Sequence, residues 1–165
     1  MKSFAPLIGS QPHSLILGSM PSQISLDYQQ YYANPNNAFW WIMTQIIACD
    51  NCLDYDRKSK LICDSGFAVW DVLASCQRKG SLDSNIQRSS ETANDLLNLI
   101  QDNPSLRLIA FNGAAAKQIF MRHCSAILSE YPKLRWRQLP STSPAHAAMQ
   151  KSEKLVIWRE ALLAK

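Results

Sequence analysis

Glycine is scarce, with five residues in a chain of 165. That disfavours a long glycine-rich phosphate cradle. Neither a Walker-type loop ending in Lys-Ser or Lys-Thr nor a three-glycine dinucleotide fingerprint occurs. A Gly-x-Ser-x-Gly elbow is missing too, which argues against an α/β-hydrolase triad. Histidine appears three times, so a histidine-built metal centre would consume every one. The five cysteines, Cys49, Cys52, Cys63, Cys76 and Cys124, are an odd and scattered set. Cys49-x-x-Cys52 has no second pair at similar spacing, which a structural zinc site wants. Buried reduced thiols on a helix are the preferred reading. No apolar run approaches the ~20 residues that span a bilayer. Met1 to Ser14, with Pro6 and Pro12, lacks the charged head and apolar stretch of a signal peptide. A soluble, cytoplasmic protein is expected, without repeat, low-complexity tract or linker.

What is present fits one domain over residues 1–165, since domains cluster at ~100–150 residues. The apolar share of 47% and charged share of 18% are ordinary for a globular chain and exclude a disordered tail or coiled coil. A net charge of +4 is compatible with a polyanionic partner without requiring one. Arg78, Lys79 and Arg88 flank a polar stretch. Lys133, Arg135 and Arg137 alternate along another segment and read as solvated surface.

Short apolar runs alternate with longer amphipathic ones. Ser14 to Gly18, Phe67 to Leu73, Leu106 to Phe111 and Leu134 to Leu139 read as strands. Helical spacing covers Ala38 to Asp50, Lys58 to Asp64, a stretch capped by Ser89 or Ser90 and stopped at Asn103-Pro104, Asn112-Gly113 to about Leu128, and Lys151 to Lys165. Strands separated by helices predict a parallel sheet covered on both faces, a three-layer α/β/α sandwich. Ligands in such folds sit at the carboxyl ends of the strands. Here those ends carry Gly18-Ser19-Met20-Pro21-Ser22, Asp71 with the polar segment Ser75 to Asn85, Asn112-Gly113, and Pro140-Ser141-Thr142-Ser143-Pro144-Ala145-His146.

Amides, hydroxyls and one or two acids dominate these loops. Tyr31 to Trp41 sets aromatic rings beside Asn34, Asn36 and Asn37. Aromatic faces hold a planar base, and a carboxamide donates and accepts at its edge. Two readings stand for Asn37, a site residue or a cap on the following helix. Phe39 reads as core.

The run Gly18 to Ser22, Tyr31-Tyr32 through Trp40, Phe67 to Asn85 and Leu139 to His146, in that order over nearly the whole chain, resembles the uracil-DNA glycosylase superfamily. Within it the chain looks like the hypoxanthine-DNA glycosylase branch. The resemblance implies a four-stranded parallel sheet, no metal or organic cofactor, and hydrolysis of the N-glycosidic bond of a damaged base flipped out of DNA. It places Asn37 in the catalytic position of the Asn-Ala-Phe-Trp motif. Asn34 stands where the family often has histidine. Pro140, Ser141, Thr142, Ser143 and Pro144 fall in the loop that enters the minor groove, preceded by Leu139 where uracil-excising members begin with histidine. The histidine that polarises uracil is therefore absent.

From these placements follow the expected contacts. Gly18, Ser19, Met20, Tyr32, Phe39, Asp71, Ser75 and Asn112 are candidates for holding the base, with backbone N–H groups of Ser19 and Met20 on its rim. An Asp71 carboxylate would accept from hypoxanthine N1–H, which adenine lacks; a turn cap is the alternative. Hydroxyls of Ser141, Thr142 and Ser143, together with Arg78, Lys79 and His146, are candidates for phosphates. The expected partner is single- or double-stranded DNA carrying a deaminated base, and the expected state is a monomer.

Overall fold

A computed structural model describes residues 1–164. Its central sheet contains β1 (Ser14–Gly18), β2 (Phe67–Asp71), β5 (Leu108–Asn112) and β6 (Arg135–Leu139), all parallel, in the order β2-β1-β5-β6. A two-stranded antiparallel ribbon, β3 (Leu73–Ser75) with β4 (Thr92–Ala93), stands beside it. The helices are α1 (Gln23–Tyr28), α2 (Phe39–Ile46), α3 (Tyr55–Asp64), α4 (Leu96–Asp102), α5 (Ala114–His123), α6 (Ala126–Glu130) and α7 (Lys151–Leu163).

The period-2 alternation of a strand splits the core in two. Leu15, Leu17, Ala68, Ile109 and Phe111 face one layer, where α4, α5 and α6 bury Leu96, Ile100, Phe120 and Ile127. Ile16, Phe67, Val69, Leu108 and Ala110 face the other, against Phe39, Ile42, Met43, Ile62 and Trp158 from α2, α3 and α7. The β2 edge is covered by the N-terminal segment through the Leu7–Val69 bridge. Among the described residues no strand pairs with the outer edge of β6, which carries exposed Arg135 and Arg137, charges that discourage pairing with another chain.

Several elements differ from the sequence reading. The start of α3 is Tyr55, the Phe67 to Leu73 run is divided between β2 and β3, and β5 is shifted to Leu108–Asn112. Where the sequence suggested a long loop from Gln23 to Asn37, α1 forms, its N-terminus capped by Ser22 Oγ accepting from Ser25 N. The helix expected from Ser89 or Ser90 begins at Leu96, where Asp95 Oδ1 accepts from Asn98 N at 3.1 Å. Upstream, Glu91 is drawn to α5, accepting from Arg122 Nη2 at 2.7 Å and lying 2.7 Å from His123 Nε2. That long-range pull holds 88–93 as a turn and the short β4. The helix expected to reach Leu128 breaks after His123, and the kink sends Cys124 and Ile127 into the core. In α2 the last turn is lost, Ala48 taking a left-handed φ of 55°. The expected end of the last helix, Lys165, lies outside the described residues.

β1 is central, and its two neighbours, β2 and β5, follow it on opposite sides. The strand order therefore reverses beside the carboxyl end of β1, the place where open parallel sheets leave a crevice.

Candidate active site

A cavity of about 100 Å3 opens there. Gly18 from β1, Asp71 from β2 and Asn112 from β5 form its floor, with Ser19, Met20, Tyr32, Asn37 and Ser141 to Ser143 around them. Gly18 is required by close approach. A Cβ there would collide with Asp71 Oδ1 and stand 3.1 Å from Tyr32 Oη. Tyr32 reaches the floor from a left-handed backbone, φ 53°, with its ring stacked on Phe39 at 3.9 Å between centroids.

Two polar atoms on this floor have no partner. Asp71 Oδ2 and Tyr32 Oη are both buried and unbonded. An unsatisfied buried polar group costs about 1–3 kcal/mol, and both of these residues line the same cavity. Asp71 is 3% exposed. Burial, reinforced by the nearby Asp83 carboxylate and only partly opposed by Arg78, pushes its pKa up to about 8. The carboxylate expected from sequence is thus corrected to a neutral acid at pH 7, because desolvation disfavours the charged form. The Tyr32 phenol is likewise raised, by burial first and then by Asp71.

Asn37 stands at the entry to α2, next to the N-cap residue Ala38. Its Oδ1 accepts from Phe39 N at 3.0 Å, capping the first turn of α2. The residue also lines the cavity, and its Nδ2 makes no hydrogen bond among the described residues. The 140–146 loop is locked in place around it. Asn112 Nδ2 donates to Thr142 Oγ1 and Asn112 Oδ1 accepts from Thr142 N, both at 2.9 Å. Ala38 N donates to Thr142 O at 3.0 Å, and Trp158 Nε1 donates to Pro140 O at 2.9 Å. One threonine therefore fixes the loop to both β5 and α2.

Several expected contacts are not made. Arg78 has a fully buried side chain, donating to Gly80 O at 3.1 Å and to Pro21 O, and lying 3.5 Å from Asp83. It braces the pocket from below and is out of reach of a phosphate. Lys79 is exposed on the same loop. Phe39 is 0% exposed and stays behind the Tyr32 ring, so it shapes the pocket without lining it. Ser75 belongs to the β3 ribbon and pairs with Thr92 and Lys2, away from the cavity. Thr142 is 1% exposed and forms pocket wall rather than DNA-facing surface. Pro140 contributes its carbonyl to Trp158. Ser141 and Ser143 line the rim, while Pro144 and His146 are exposed beside a neighbouring cavity.

Asp83 was not foreseen. Its Oδ1 accepts from Ser19 Oγ at 2.8 Å, joining the 76–91 loop to the end of β1. Its only signal was membership of the polar segment Ser75 to Asn85. All five cysteines are free thiols, but Cys49 is half-buried and Cys52 exposed, and both lie beyond the end of α2 rather than buried on a helix, because the chain leaves the helix at Ile46. Among the described residues no group of three or more His, Cys, Asp or Glu is placed to hold a metal ion. No helix among them is long and apolar enough to cross a membrane.

The family model of the uracil DNA glycosylase superfamily matches the chain over residues 6–163. The chain belongs to that superfamily. It is 39% identical over 117 residues to a protein of Methanosarcina acetivorans named hypoxanthine DNA glycosylase, covering 70% of this chain and 72% of that one. A Methanosarcina barkeri protein of the same name is 33% identical over 113 residues, covering 68% and 70%. A solution NMR structure from Methanosarcina acetivorans, provisionally described as a uracil DNA glycosylase, superposes with a TM-score of 0.78 at 32% identity over 98% of both chains.

Proposed function

We propose that this protein excises deaminated bases from DNA, hypoxanthine foremost, by hydrolysing the N-glycosidic bond and leaving an abasic site. It acts as a monomer in the cytoplasm. The observation that carries the reading is the buried, unpartnered Asp71 Oδ2 in a small cavity that Asn37 also lines.

Hypoxanthine presents a lactam edge, N1–H beside C6=O. A carboxylic acid complements both, its carbonyl accepting from N1–H and its hydroxyl donating to O6. As the bond to C1′ breaks, the electron pair moves onto the base and negative charge grows at O6. The Asp71 hydroxyl meets that charge, whereas a carboxylate would repel it. Preorganised donors of this kind are typically worth about 3–4 kcal/mol in a site closed to water. Tyr32 Oη supplies a second donor from the same floor. On the sugar side C1′ gains oxocarbenium character, and Asn37 Nδ2 or Oδ1 positions the attacking water without itself being titrated. Flipping costs a few kcal/mol, least for a base already mispaired.

Uracil carries a similar lactam edge, but Leu139 is 3% exposed in the core and offers it no electrophile. The deciding assay offers strands containing deoxyinosine, deoxyuridine or deoxyxanthosine, single and paired, and scores abasic sites. Cleavage of deoxyinosine strands first is expected. Retention of DNA without any abasic product would reduce the protein to a silent binder.

A further inference from the structure

The base pocket has a neighbour. On the other side of Asn37, Thr142 and Ser143 lies a second cavity of about 350 Å3, bounded by the start of α2, the 143–149 loop and the first turns of α7. Lys154 of α7 lines it and is 4% exposed. A lysine ammonium has three N–H donors. One goes to His146 O at 2.8 Å, and the other two have no partner among the described residues. No acidic residue lines the cavity, while Lys151 does, its Nζ held 4.7 Å above the Trp41 ring.

We propose that this cavity is a phosphate site, in which Lys154 and the Ser143 hydroxyl grip the backbone phosphate flanking the flipped nucleotide. The inference rests on the excision reading above, because it fixes where the sugar must be. With the base on Asp71 and C1′ beside Asn37, the sugar–phosphate backbone leaves the pocket at its mouth. Asn37, Thr142 and Ser143 line both cavities, so the second lies directly beside the first. A buried ammonium is costly unless paired with an anion. Burial alone pulls the lysine toward its neutral form, which an incoming phosphate would reverse. A residue serving only to tether the loop would need a single donor and no charge.

The test uses fluorescently labelled deoxyinosine oligonucleotides in which one phosphate at a time, on either side of the lesion, is replaced by an uncharged methylphosphonate. Binding is measured across a salt series for the wild type and for Lys154→Met. One flanking replacement should weaken wild-type binding several-fold and reduce the salt slope by about 0.9, the value for one duplex phosphate contact. Lys154→Met on the unmodified strand should show the same loss, and the two changes together should cost no more than either alone. Independent, additive losses or an unchanged slope in the variant overturn the site. Lys154→Gln keeps a tethering donor without charge and should behave like Met; full retention of affinity by Gln also overturns it. Should both variants unfold, the wild-type scan decides, and indifference to every flanking replacement rejects the proposal. Wild-type protein that neither binds nor cleaves any of these strands refutes the excision reading itself, whereas cleavage with a flat methylphosphonate scan refutes this site alone.

Discussion

Replacing Asp71 by Asn removes a titration while keeping the side chain's shape. The native acid titrates near pH 8 and an unfolded aspartate near 3.8. Below pH 3.8 both states are protonated and Asp71 carries no penalty. As pH rises through that interval the unfolded chain releases its proton and the native fold does not, so stability falls by about 1.4 kcal/mol per pH unit until the native acid also ionises. At pH 7 roughly 3 pH units have been crossed, and the penalty stands at about 4 kcal/mol. The amide of the Asp71→Asn variant is neutral at every pH and escapes it. Urea unfolding of both proteins from pH 4.5 to 8 should show Asp71→Asn the more stable, with a gap that widens steadily with pH. Two curves a constant distance apart would refute the protonated floor. The same argument reaches activity: wild-type excision should decline above about pH 8, and Asp71→Asn, whose amide also donates to O6 and accepts from N1–H, should retain activity there.

Asn37→Ala should abolish excision and, because Oδ1 caps α2, also cost about 1 kcal/mol in denaturant unfolding; Asn37→Asp should keep the cap and still lose most activity. Gly18→Ala should cut excision far more than DNA affinity, since its methyl would strike Asp71 and crowd Tyr32; equal rates for variant and wild type would contradict the close approach. Glu91→Gln should destabilise the fold by about 2 kcal/mol by weakening charge-assisted bonds to Arg122 and His123. Burial pushes Glu91 upward, but those partners outweigh it and hold it below the usual glutamate range. Its contribution is therefore present above the unfolded value and lost as pH falls through the lowered native one. Acid unfolding monitored by circular dichroism should begin at higher pH in wild type than its other acids alone would give, and Glu91→Gln should remove that component.

Much of the site was legible because it sits where strands end. Gly18, Asp71 and Asn112 each fall at or within two residues of the end of an apolar run and close the observed strands, and parallel strands bring such ends to one edge. Arg78 misled because a basic residue in a polar loop looks solvated; nothing local announces that Pro21 and Gly80 carbonyls will enclose it. Lys154 was invisible for the opposite reason, one charge among several on a helix whose buried face is chosen by packing against the 140–149 loop.

Local pattern alone determined the strands of the main sheet, their helical crossovers and the polar loops at their carboxyl ends, since periodicity and turn residues are properties of neighbours in the chain. Only tertiary structure decided the charge of Asp71, the meeting of Asn37 with Asp71 in one cavity lining, and the change of 88–93 from helix start to ribbon edge. Each depends on groups tens of residues distant. Desolvation and ion pairing act across space, and no window along the chain contains both partners.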